Sequence, residues 1–307
     1  MDSSFSAGQD SGFQSGFVAL VGPPNAGKST LLNRILGRTV AIVTPKPQTT
    51  RNRILGIYHG QNVQIVLMDT PGIHRTRTAL HRSMVASAQE AFQEVDLVVV
   101  LIELRRPDDP DISLLLRPLR QARKSAILVI NKIDTGPRES LLPLMDAFQK
   151  QYPFEAIVPV SALRGDGVDV LLDELKTRMK PGPPFFPEDM VTDQPETFLA
   201  AELIREQVYR EAQQELPYSV AVTVDGLEVR GRGGTLYIPG QIHVESESQK
   251  KILVGRNGRM IKAIGKKARK SLESRFQRSV YLDLTVRVEK NWSRNARALR
   301  KLGYGPE

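Results

Sequence analysis

A short loop near the start of the chain carries residue types that bind phosphate. Residues 22–29, GPPNAGKS, fit the pattern GxxxxGK[ST] and lie between an apolar run at 17–20 and a helix-like stretch at 30–36. In such a loop, backbone N–H groups and the positive end of the next helix converge on a phosphate. We expect Lys28 to reach the β- and γ-phosphates of a nucleotide and the Ser29 hydroxyl to ligate Mg²⁺. The predicted phosphate-binding residues are Gly22, Pro23, Pro24, Asn25, Ala26, Gly27, Lys28, Ser29 and Thr30.

A second motif, DTPG at 69–72, directly follows the apolar run at 64–68. A carboxylate at the end of that strand would lie beside the phosphate loop, where Asp69 would hold Mg²⁺ through a water molecule. Gly72 has no side chain, so its N–H can approach a γ-phosphate closely. Thr70 and Pro71 complete the motif. DTPG alone also fits an ordinary turn, but its pairing with the phosphate loop favours a nucleotide site.

The third motif identifies the base. Residues 131–134, NKID, follow the apolar run at 127–130. An ionised carboxylate only accepts hydrogen bonds, and guanine offers N1–H and N2–H₂ on one edge, so guanine matches Asp134. Adenine would place an acceptor opposite that carboxylate, which is a costly mismatch. Lys132 can lay its alkyl stem over the base, and Asn131 can connect this loop to the phosphate loop. The predicted ligand is therefore GTP or GDP.

These motifs need a scaffold that brings the ends of several strands together. Short apolar runs alternate with helix-like stretches, which is typical of an α/β domain with a mostly parallel sheet and helices on both faces. The runs lie at 17–20, 63–68, 97–102, 126–130 and 157–160, and the helix-like stretches include 80–92 and 168–179. Ligands of such sheets bind at the carboxyl ends of the strands, where all three motifs fall.

The excess positive charge lies in the last third of the chain. The net charge is +9, yet residues 1–196 contain 22 Lys/Arg and 22 Asp/Glu, whereas the remaining residues contain 21 and 12. A basic domain beside a neutral one indicates a polyanionic partner, because solubility alone would not need this segregation. Between the two parts, residues 181–196 contain five prolines and predict a semi-rigid linker. We predict a disordered leader (1–15), a GTP-binding domain (16–180), this linker and a smaller α+β domain with a basic tail (197–307).

A second candidate loop lies in the basic part. Gly255-Arg256-Asn257-Gly258 interrupts a helical pattern, and residues 250–278 contain 11 basic residues and one acidic residue. A GxxG loop between two helices is typical of the KH fold, which holds about four nucleotides of single-stranded RNA by their backbone. GxxG is also common in turns, but the basic setting and the strand-like run at 280–288 favour RNA. The predicted RNA-binding residues are Gly255, Arg256, Asn257, Gly258, Arg259, Lys262 and Lys266.

Apolar residues around the GxxG loop have two interpretations. Ile252, Leu253, Ile261 and Ile264 form either an apolar floor under the bases or the core of the domain, and we expect most of them in the core.

The composition excludes several kinds of site. The chain has no cysteine, which excludes disulfides, thiolate metal sites and thiol nucleophiles. The first residues lack a basic region followed by an apolar one and are not a secretory signal. The longest apolar run, at 97–102, is far too short to cross a bilayer. The histidines show no metal-ligand spacing and are expected at the surface; they are His59, His74, His81 and His243.

Together with Ser161-Ala162-Leu163, the three motifs resemble the translation-factor-related class of GTP-binding proteins. The resemblance implies that backbone N–H groups of this SAL loop contact guanine O6. Ras-like proteins have a glutamine after DxxG that orients the attacking water, but this chain has Ile73. Within the class, a hydrophobic residue here is typical of a subgroup that hydrolyses GTP by other means. The resemblance therefore implies a GTPase with a slow intrinsic rate.

Two further features match that subgroup and imply additional ligands. Asn25 is expected to help bind K⁺ against the phosphates, in the place of an arginine finger. Thr50, in the sequence Thr49-Thr50-Arg51, is expected to ligate Mg²⁺ when GTP is bound, although Thr49 is an alternative. Residues 41–53, the first switch, and 73–82, the second, are polar and basic and are expected to have few buried anchors. The expected catalytic residues are Asn25, Lys28, Thr50 and Gly72.

The order of domains narrows the resemblance to the Era-like family, from about Gly16 to the C terminus. It implies that the chain binds the 3′ end of 16S ribosomal RNA, assists maturation of the small ribosomal subunit and couples release to GTP hydrolysis. It further implies a cytoplasmic monomer that binds no DNA and can associate peripherally with the inner membrane. The alternatives are an RNA-binding assembly protein in which GTP is structural, and a membrane-associated regulatory GTPase. A tRNA-modifying GTPase of the same subgroup is disfavoured by the absence of cysteine and by the KH pattern.

Overall fold

The computed structural model describes residues 12–47, 49–72, 94–104, 109–212, 216–231 and 233–304. Within them the chain forms a seven-stranded and a four-stranded sheet, each packed against its own apolar core. The predicted helix at 80–92, the second switch and Ile73 lie outside the described residues, and so do His74 and His81.

The first sheet is mostly parallel, which confirms the α/β prediction. Its order is β2-β3-β1-β4-β5-β6; β7 pairs with β1, and both β2 and β7 run antiparallel to their neighbours. The strands are β1 (Gln14–Val21), β2 (Ile54–Gly60), β3 (Val63–Asp69), β4 (Leu97–Ile102), β5 (Ala126–Ile130), β6 (Ala156–Pro159) and β7 (Lys180–Pro181). Strands β4 and β5 are buried along their whole length, because helices cover both faces of the sheet.

The predicted disordered leader ends too late. Strand β1 begins at Gln14, where Gln14 and Ser15 pair with Val63 and Gln64 of β3. Ser15 is buried, and its hydroxyl donates to the carbonyl of Pro183. These residues therefore belong to the sheet rather than to a leader.

Helices lie on both faces of this sheet. They are α1 (Lys28–Leu36), α2 (Pro110–Ala122), α3 (Leu141–Gln151) and α4 (Val168–Lys176). Leu32 of α1 and Leu171 of α4 belong to one core, and Leu115 of α2 and Phe148 of α3 belong to the core on the other face. Because α1 directly follows the phosphate loop, its packing fixes that loop at the carboxyl end of β1.

The proline-rich segment packs along the first sheet instead of standing free. The side-chain oxygen of Gln64 accepts hydrogen bonds from the backbone N–H groups of Phe185 and Phe186. The N–H of Ile57 donates to the carbonyl of Val191. These contacts add to the stiffness that the prolines already give the segment.

The second sheet has the order β11-β10-β8, with β9 pairing with β10. Its strands are β8 (Ala221–Val224), β9 (Glu228–Arg230), β10 (Thr235–Val244) and β11 (Val280–Val288), and its helices are α5 (Glu196–Glu211), α6 (Glu247–Val254), α7 (Arg259–Phe276) and α8 (Ala296–Lys301). Only β10 and β11 are parallel. Strand β8 begins only at Ala221, because a 3₁₀ turn occupies Leu216–Ser219.

The C-terminal segment returns to the second sheet. Trp292 is fully buried and packs with Ala221, Leu299 and Tyr304. The prediction of surface histidines is wrong for His243, which is 5% exposed on β10 and makes a hydrogen bond with the hydroxyl of Thr223. Within the described residues, no helix is both long and apolar enough to span a membrane.

Candidate functional site

The phosphate loop is packed tightly against β4. A side chain at Gly22 would overlap the carbonyl oxygen of Leu101, so only glycine fits there. Lys28 is buried, and its ammonium donates to the carbonyls of Gly22 (3.1 Å) and Pro23 (3.0 Å), so the lysine folds back over its own loop. Burial lowers the pKa of Lys28 to about 8, while the Asp69 carboxylate opposes this shift. A phosphate group entering the loop would supply the negative charge that this buried cation lacks.

Three oxygen-bearing side chains from separate segments meet beside Lys28. The hydroxyl of Ser29 lies 2.6 Å from Asp69 Oδ2 and 2.9 Å from the hydroxyl of Thr50, and Thr50 lies 3.2 Å from the same carboxylate oxygen. Burial raises the pKa of Asp69, against the effects of Lys28 and the two hydroxyls. Its other oxygen, Oδ1, is buried and has no hydrogen-bond partner among the described residues. This set of hard oxygen donors with one unsatisfied carboxylate oxygen fits Mg²⁺.

The structure distinguishes Thr50 from Thr49, the alternative candidate for the magnesium ligand. The Thr49 hydroxyl makes hydrogen bonds with the hydroxyl of Thr44 (2.7 Å) and the carbonyl of Lys46 (2.8 Å). The Thr49 hydroxyl therefore makes its hydrogen bonds within the first switch. Of the two threonines, only Thr50 contacts Ser29 and Asp69. Asn25, also predicted here, is exposed, and its amide donates to the carbonyl of Pro45 in the same switch (3.1 Å).

The base-binding loops are joined around Asn131, as predicted. Its side-chain amide donates to the carbonyl of Ala26 in the phosphate loop (2.7 Å), and its oxygen accepts from the N–H of Ala162 (2.9 Å). The Ser161 hydroxyl donates to Asp134 (2.7 Å), and this hydrogen bond is the main cause that lowers the pKa of Asp134. Asp134 is thus kept in the acceptor-only form that guanine recognition needs.

A cavity of about 700 Å³ connects the phosphate loop to the base-binding loops, which is enough for a nucleotide. The predicted residues that line it are Pro24, Asn25, Gly27, Lys28, Ser29, Thr30, Thr50, Gly72, Asn131, Lys132, Asp134, Ala162 and Leu163. Lys132 Nζ makes an ion pair with Glu103 (2.6 Å) at this site.

Some predicted residues do not line the cavity but belong to the segments that form it. The Thr70 hydroxyl is buried and donates to the carbonyl of Leu20. Gly22, Pro23, Ala26, Asp69, Pro71 and Ser161 are also absent from the wall. Residues 42–45 of the predicted first switch also line the cavity, and so do Thr135 and Arg210, which the sequence did not indicate. Arg210 lies on α5, beyond the linker, and no local motif marks it.

The predicted RNA-binding loop forms as the GxxG pattern requires. Gly255 (φ +74°) ends α6, and Gly258 (φ +73°) precedes α7. A side chain at Gly255 would collide with the backbone of Met260, whereas Gly258 faces open space. The cations around this loop are exposed to solvent; they are Arg256, Arg259, Lys262 and Lys266. Glycine at both positions lets a phosphate backbone approach the main chain.

The two interpretations of the apolar residues here are resolved by burial. Leu253 and Ile264 are fully buried and belong to the core of the second sheet. Ile252 is 58% exposed, and Ile261 is half-buried. Only the last two remain accessible to a base.

The expectation that the first switch has few buried anchors is wrong. Within residues 41–53, Ala41, Ile42, Thr50 and Arg51 are all buried. Arg51 is 5% exposed because its guanidinium enters the second domain, where it donates to the Tyr209 hydroxyl and to backbone carbonyls. Sequence pattern could not reveal this contact, since a single arginine in a polar loop resembles any solvated charge.

Two parts of the chain match known protein families. Residues 17–132 match the family described as 50S ribosome-binding GTPase, and residues 215–293 match the KH domain family. The chain is 45% identical to GTPase Era of Syntrophus aciditrophicus over 304 residues, or 99% of each chain. It is 47% identical to GTPase Era of Geotalea uraniireducens over 292 residues, or 95% of this chain and 98% of that protein.

Two solved structures share the arrangement of both domains. Each has a TM-score of 0.91 and 40% identity, and the match covers 96% of this chain and 100% of the other. One is a variant of Aquifex aeolicus Era bound to GDP·AlF₄⁻. The other is Era in complex with MgGDPNP and nucleotides 1506–1542 of 16S ribosomal RNA.

Proposed function

The chain belongs to the Era family of GTPases, and on this premise we propose that it is a GTP-hydrolysing switch that binds the 3′ end of 16S ribosomal RNA and assists maturation of the small ribosomal subunit. We assign nucleotide binding to residues 14–180 and RNA binding to residues 197–307, joined by the linker at 181–196. The family further suggests a cytoplasmic monomer that associates peripherally with the inner membrane.

One observation carries this proposal. The hydroxyls of Ser29 and Thr50 contact the Asp69 carboxylate, and Lys28, Ser29 and Thr50 line the same cavity as Asp134. These residues come from four separate segments, and together they provide ligands for Mg²⁺, a cation for phosphate and an acceptor for guanine. The set therefore supports a guanine nucleotide with Mg²⁺ as the ligand.

Each group has a definable task in hydrolysis. Lys28 neutralises charge on the β- and γ-phosphate oxygens, and the N–H of Gly72 donates to the γ-phosphate. Ser29, Thr50 and Asp69 would hold Mg²⁺, which would supply stabilisation of the developing negative charge. The chemistry is thus mainly positioning and electrostatic stabilisation.

The intrinsic rate is proposed to be slow. Ile73 has no polar atom and cannot orient the attacking water as a glutamine does. We assign part of the missing stabilisation to K⁺ bound near Asn25. The Asn25 amide N–H₂ donates to the carbonyl of Pro45, which holds this side chain between the phosphate loop and the first switch, where the proposed cation would bind.

RNA binding is assigned to the GxxG loop and the basic face of α7. The two glycines expose the main chain, and the cations at 256, 259, 262 and 266 are exposed around it. Their charge is complementary to a phosphate backbone. The Era structure with 16S RNA supports the choice of RNA as ligand.

The experiment is single-turnover hydrolysis with the purified full chain, combined with sequencing of RNA crosslinked to it in cells. We expect hydrolysis of GTP but not of ATP, loss of nucleotide binding in Lys28→Ala, and recovery of the 3′ end of 16S ribosomal RNA. RNA capture without hydrolysis would instead support the alternative in which GTP is structural. Recovery of membrane fractions without this RNA would support the membrane-associated alternative.

A further inference from the structure

The magnesium-site threonine of the first switch is held on both sides by the second domain. On one side, Arg205 of α5 donates to the carbonyl of Thr49 (2.7 Å). On the other, the side chain of Arg51 is inserted into the second domain. Thr50 is the residue between these two attachments, so its position depends on a domain that is distant in sequence.

Arg51 has four neutral hydrogen-bond acceptors in the second domain. Its Nη1 donates to the carbonyl of Val220 (2.6 Å). Its Nη2 donates to the hydroxyl of Tyr209 (2.7 Å) and to the carbonyls of Tyr218 (3.0 Å) and Pro217 (3.2 Å). Such a forked geometry suits the planar guanidinium and could not be reproduced by an ammonium group.

Three aromatic rings, which we term the aromatic cage, surround the same guanidinium. The ring centroids of Tyr209, Trp292 and Tyr304 lie 5.7, 5.7 and 5.4 Å from its central carbon. Trp292 and Tyr304 belong to the C-terminal segment and are themselves buried. Cation–π attraction is strong when the cation is desolvated, as Arg51 is here.

The attachment at Thr49 is equally constrained. Arg205 is fully buried, and its guanidinium makes two hydrogen bonds with the Glu202 carboxylate (2.7 and 2.6 Å) while it holds the Thr49 carbonyl. A bidentate ion pair fixes the direction of the remaining N–H groups. The donor that reaches Thr49 is therefore fixed in place rather than carried on a mobile surface side chain.

We propose that Arg51 is a positioning residue through which the second domain holds Thr50 beside Ser29 and Asp69. The inference rests on the proposed function, since the place of Thr50 matters only if GTP and Mg²⁺ bind here. Coupling between two sites is reciprocal. Bound GTP and Mg²⁺ accordingly favour the arrangement in which Arg51 is inserted into the second domain. In the same way, insertion of Arg51 favours binding of GTP over GDP.

The test compares GDPNP with GDP, because only the γ-phosphate state uses Thr50. In the full-length chain with Mg²⁺, we expect Arg51→Gln to weaken GDPNP binding about tenfold and GDP binding less than about twofold. Arg51→Lys should restore only part of the loss, because it keeps the charge but not the fork. The matched control is Arg120→Gln, which removes an exposed arginine of α2 that donates to the carbonyl of Gln151, outside the switch and the cavity wall, and it should leave both affinities unchanged.

A second variant tests the same contact even if Arg51→Gln does not fold. Tyr209→Phe removes a single hydroxyl from the second domain and leaves the GTP-binding domain unaltered. We expect GDPNP affinity to fall about threefold, with GDP affinity unchanged. Trp292, the sole tryptophan, provides a further readout, since GDPNP with Mg²⁺ should change its fluorescence in the wild type but not in Arg51→Gln.

Thr50→Ala separates failure of this inference from failure of the proposed function. If Thr50→Ala loses the preference for GDPNP while Arg51→Gln and Tyr209→Phe keep it, the positioning role is wrong and the switch remains. Equal weakening of GDPNP and GDP in the Arg51 and Tyr209 variants would show that they only support the fold, which also overturns the inference. If Thr50→Ala itself keeps the preference, the proposed role of the first switch fails.

Discussion

At the scale of single residues, the site depends on polar groups whose charge is set by their surroundings. Asp69 is fully buried and its Oδ1 has no hydrogen-bond partner in the part of the chain that the structure describes, while Lys28 is buried against carbonyls of its own loop. Asp134 is instead held by the Ser161 hydroxyl. The surroundings of each group therefore fix its position and its charge. Each group suits a charged or hydrogen-bonding part of a nucleotide.

Exchanging the base-reading carboxylate should change nucleotide specificity. In Asp134→Asn, the amide N–H₂ would face the N–H groups of guanine, so GDP affinity should fall about a hundredfold, or about 2.7 kcal/mol. Xanthine has a carbonyl in place of the 2-amino group, so XDP binding should improve. Competition between GDP and XDP for the variant measures both changes. An unaltered preference for GDP would show that Asp134 does not read the base.

The proposed potassium role of Asn25 can be tested by exchanging the salt. GTP hydrolysis by the wild type should be faster in K⁺ than in Na⁺ at matched ionic strength, and Asn25→Ala should remove this difference without loss of GDP affinity. The reason is that the side-chain oxygen of Asn25 is a proposed ligand of the cation, whereas Lys28 and Asp134 are proposed to make the main side-chain contacts with GDP. Steady-state rates in the two salts provide the measurement. Equal wild-type rates would exclude the role of Asn25.

At the scale of elements, turns between regular structures carry the binding. The phosphate loop is a turn between β1 and α1, and the GxxG loop is a turn between α6 and α7. In both loops, a glycine packs closely against a neighbouring residue, Leu101 or Met260, where a side chain would collide. A helix begins directly after each loop. The same physical arrangement thus serves a nucleotide in one domain and a nucleic-acid backbone in the other.

A matched pair of glycine substitutions can test the second loop. Gly258→Asp places a carboxylate where phosphate is expected, and it should weaken binding of the 16S 3′ segment at least about tenfold without affecting GDP. Gly231→Asp is the control, because Gly231 has a similar φ (+71°) and open surroundings but lies before β10, in a turn away from the GxxG loop. Filter binding at fixed salt gives both affinities. Equal effects of the two substitutions would attribute the loss to net charge.

At the scale of the whole molecule, the two domains are joined by specific contacts of the first switch and not only by the linker. Besides Arg51 and Arg205, Lys46 donates to the carbonyl of Ala212 and Arg210 donates to the carbonyl of Val43. The segment that would sense the γ-phosphate therefore also contacts α5 and the turn after it. This arrangement can convert a local change at the phosphates into a change of domain orientation.

RNA affinity should consequently depend on the nucleotide. A hundredfold difference between the GDPNP-bound and GDP-bound chains requires about 2.7 kcal/mol of coupling. We expect tighter binding of the 16S 3′ segment with GDPNP, and a smaller difference between nucleotides in Arg51→Gln. Fluorescence anisotropy with labelled RNA at constant ionic strength can measure all four affinities. Identical wild-type values with both nucleotides would contradict a switch.

The sequence by itself determined the chemistry of the two sites, because short loops encode their ligands in residue type and spacing. GPPNAGKS, DTPG and NKID specify phosphate, Mg²⁺ and guanine, and GxxG among cations indicates RNA. Alternation of buried runs and helices likewise determined the α/β class.

Only the tertiary structure decided which of Thr49 and Thr50 faces the magnesium site, that His243 is buried, and that Arg51 is an anchor. The contacts of Arg51 and Arg205 join residues 156 to 169 positions apart. No local periodicity records such contacts, because they depend on how the two folded domains meet.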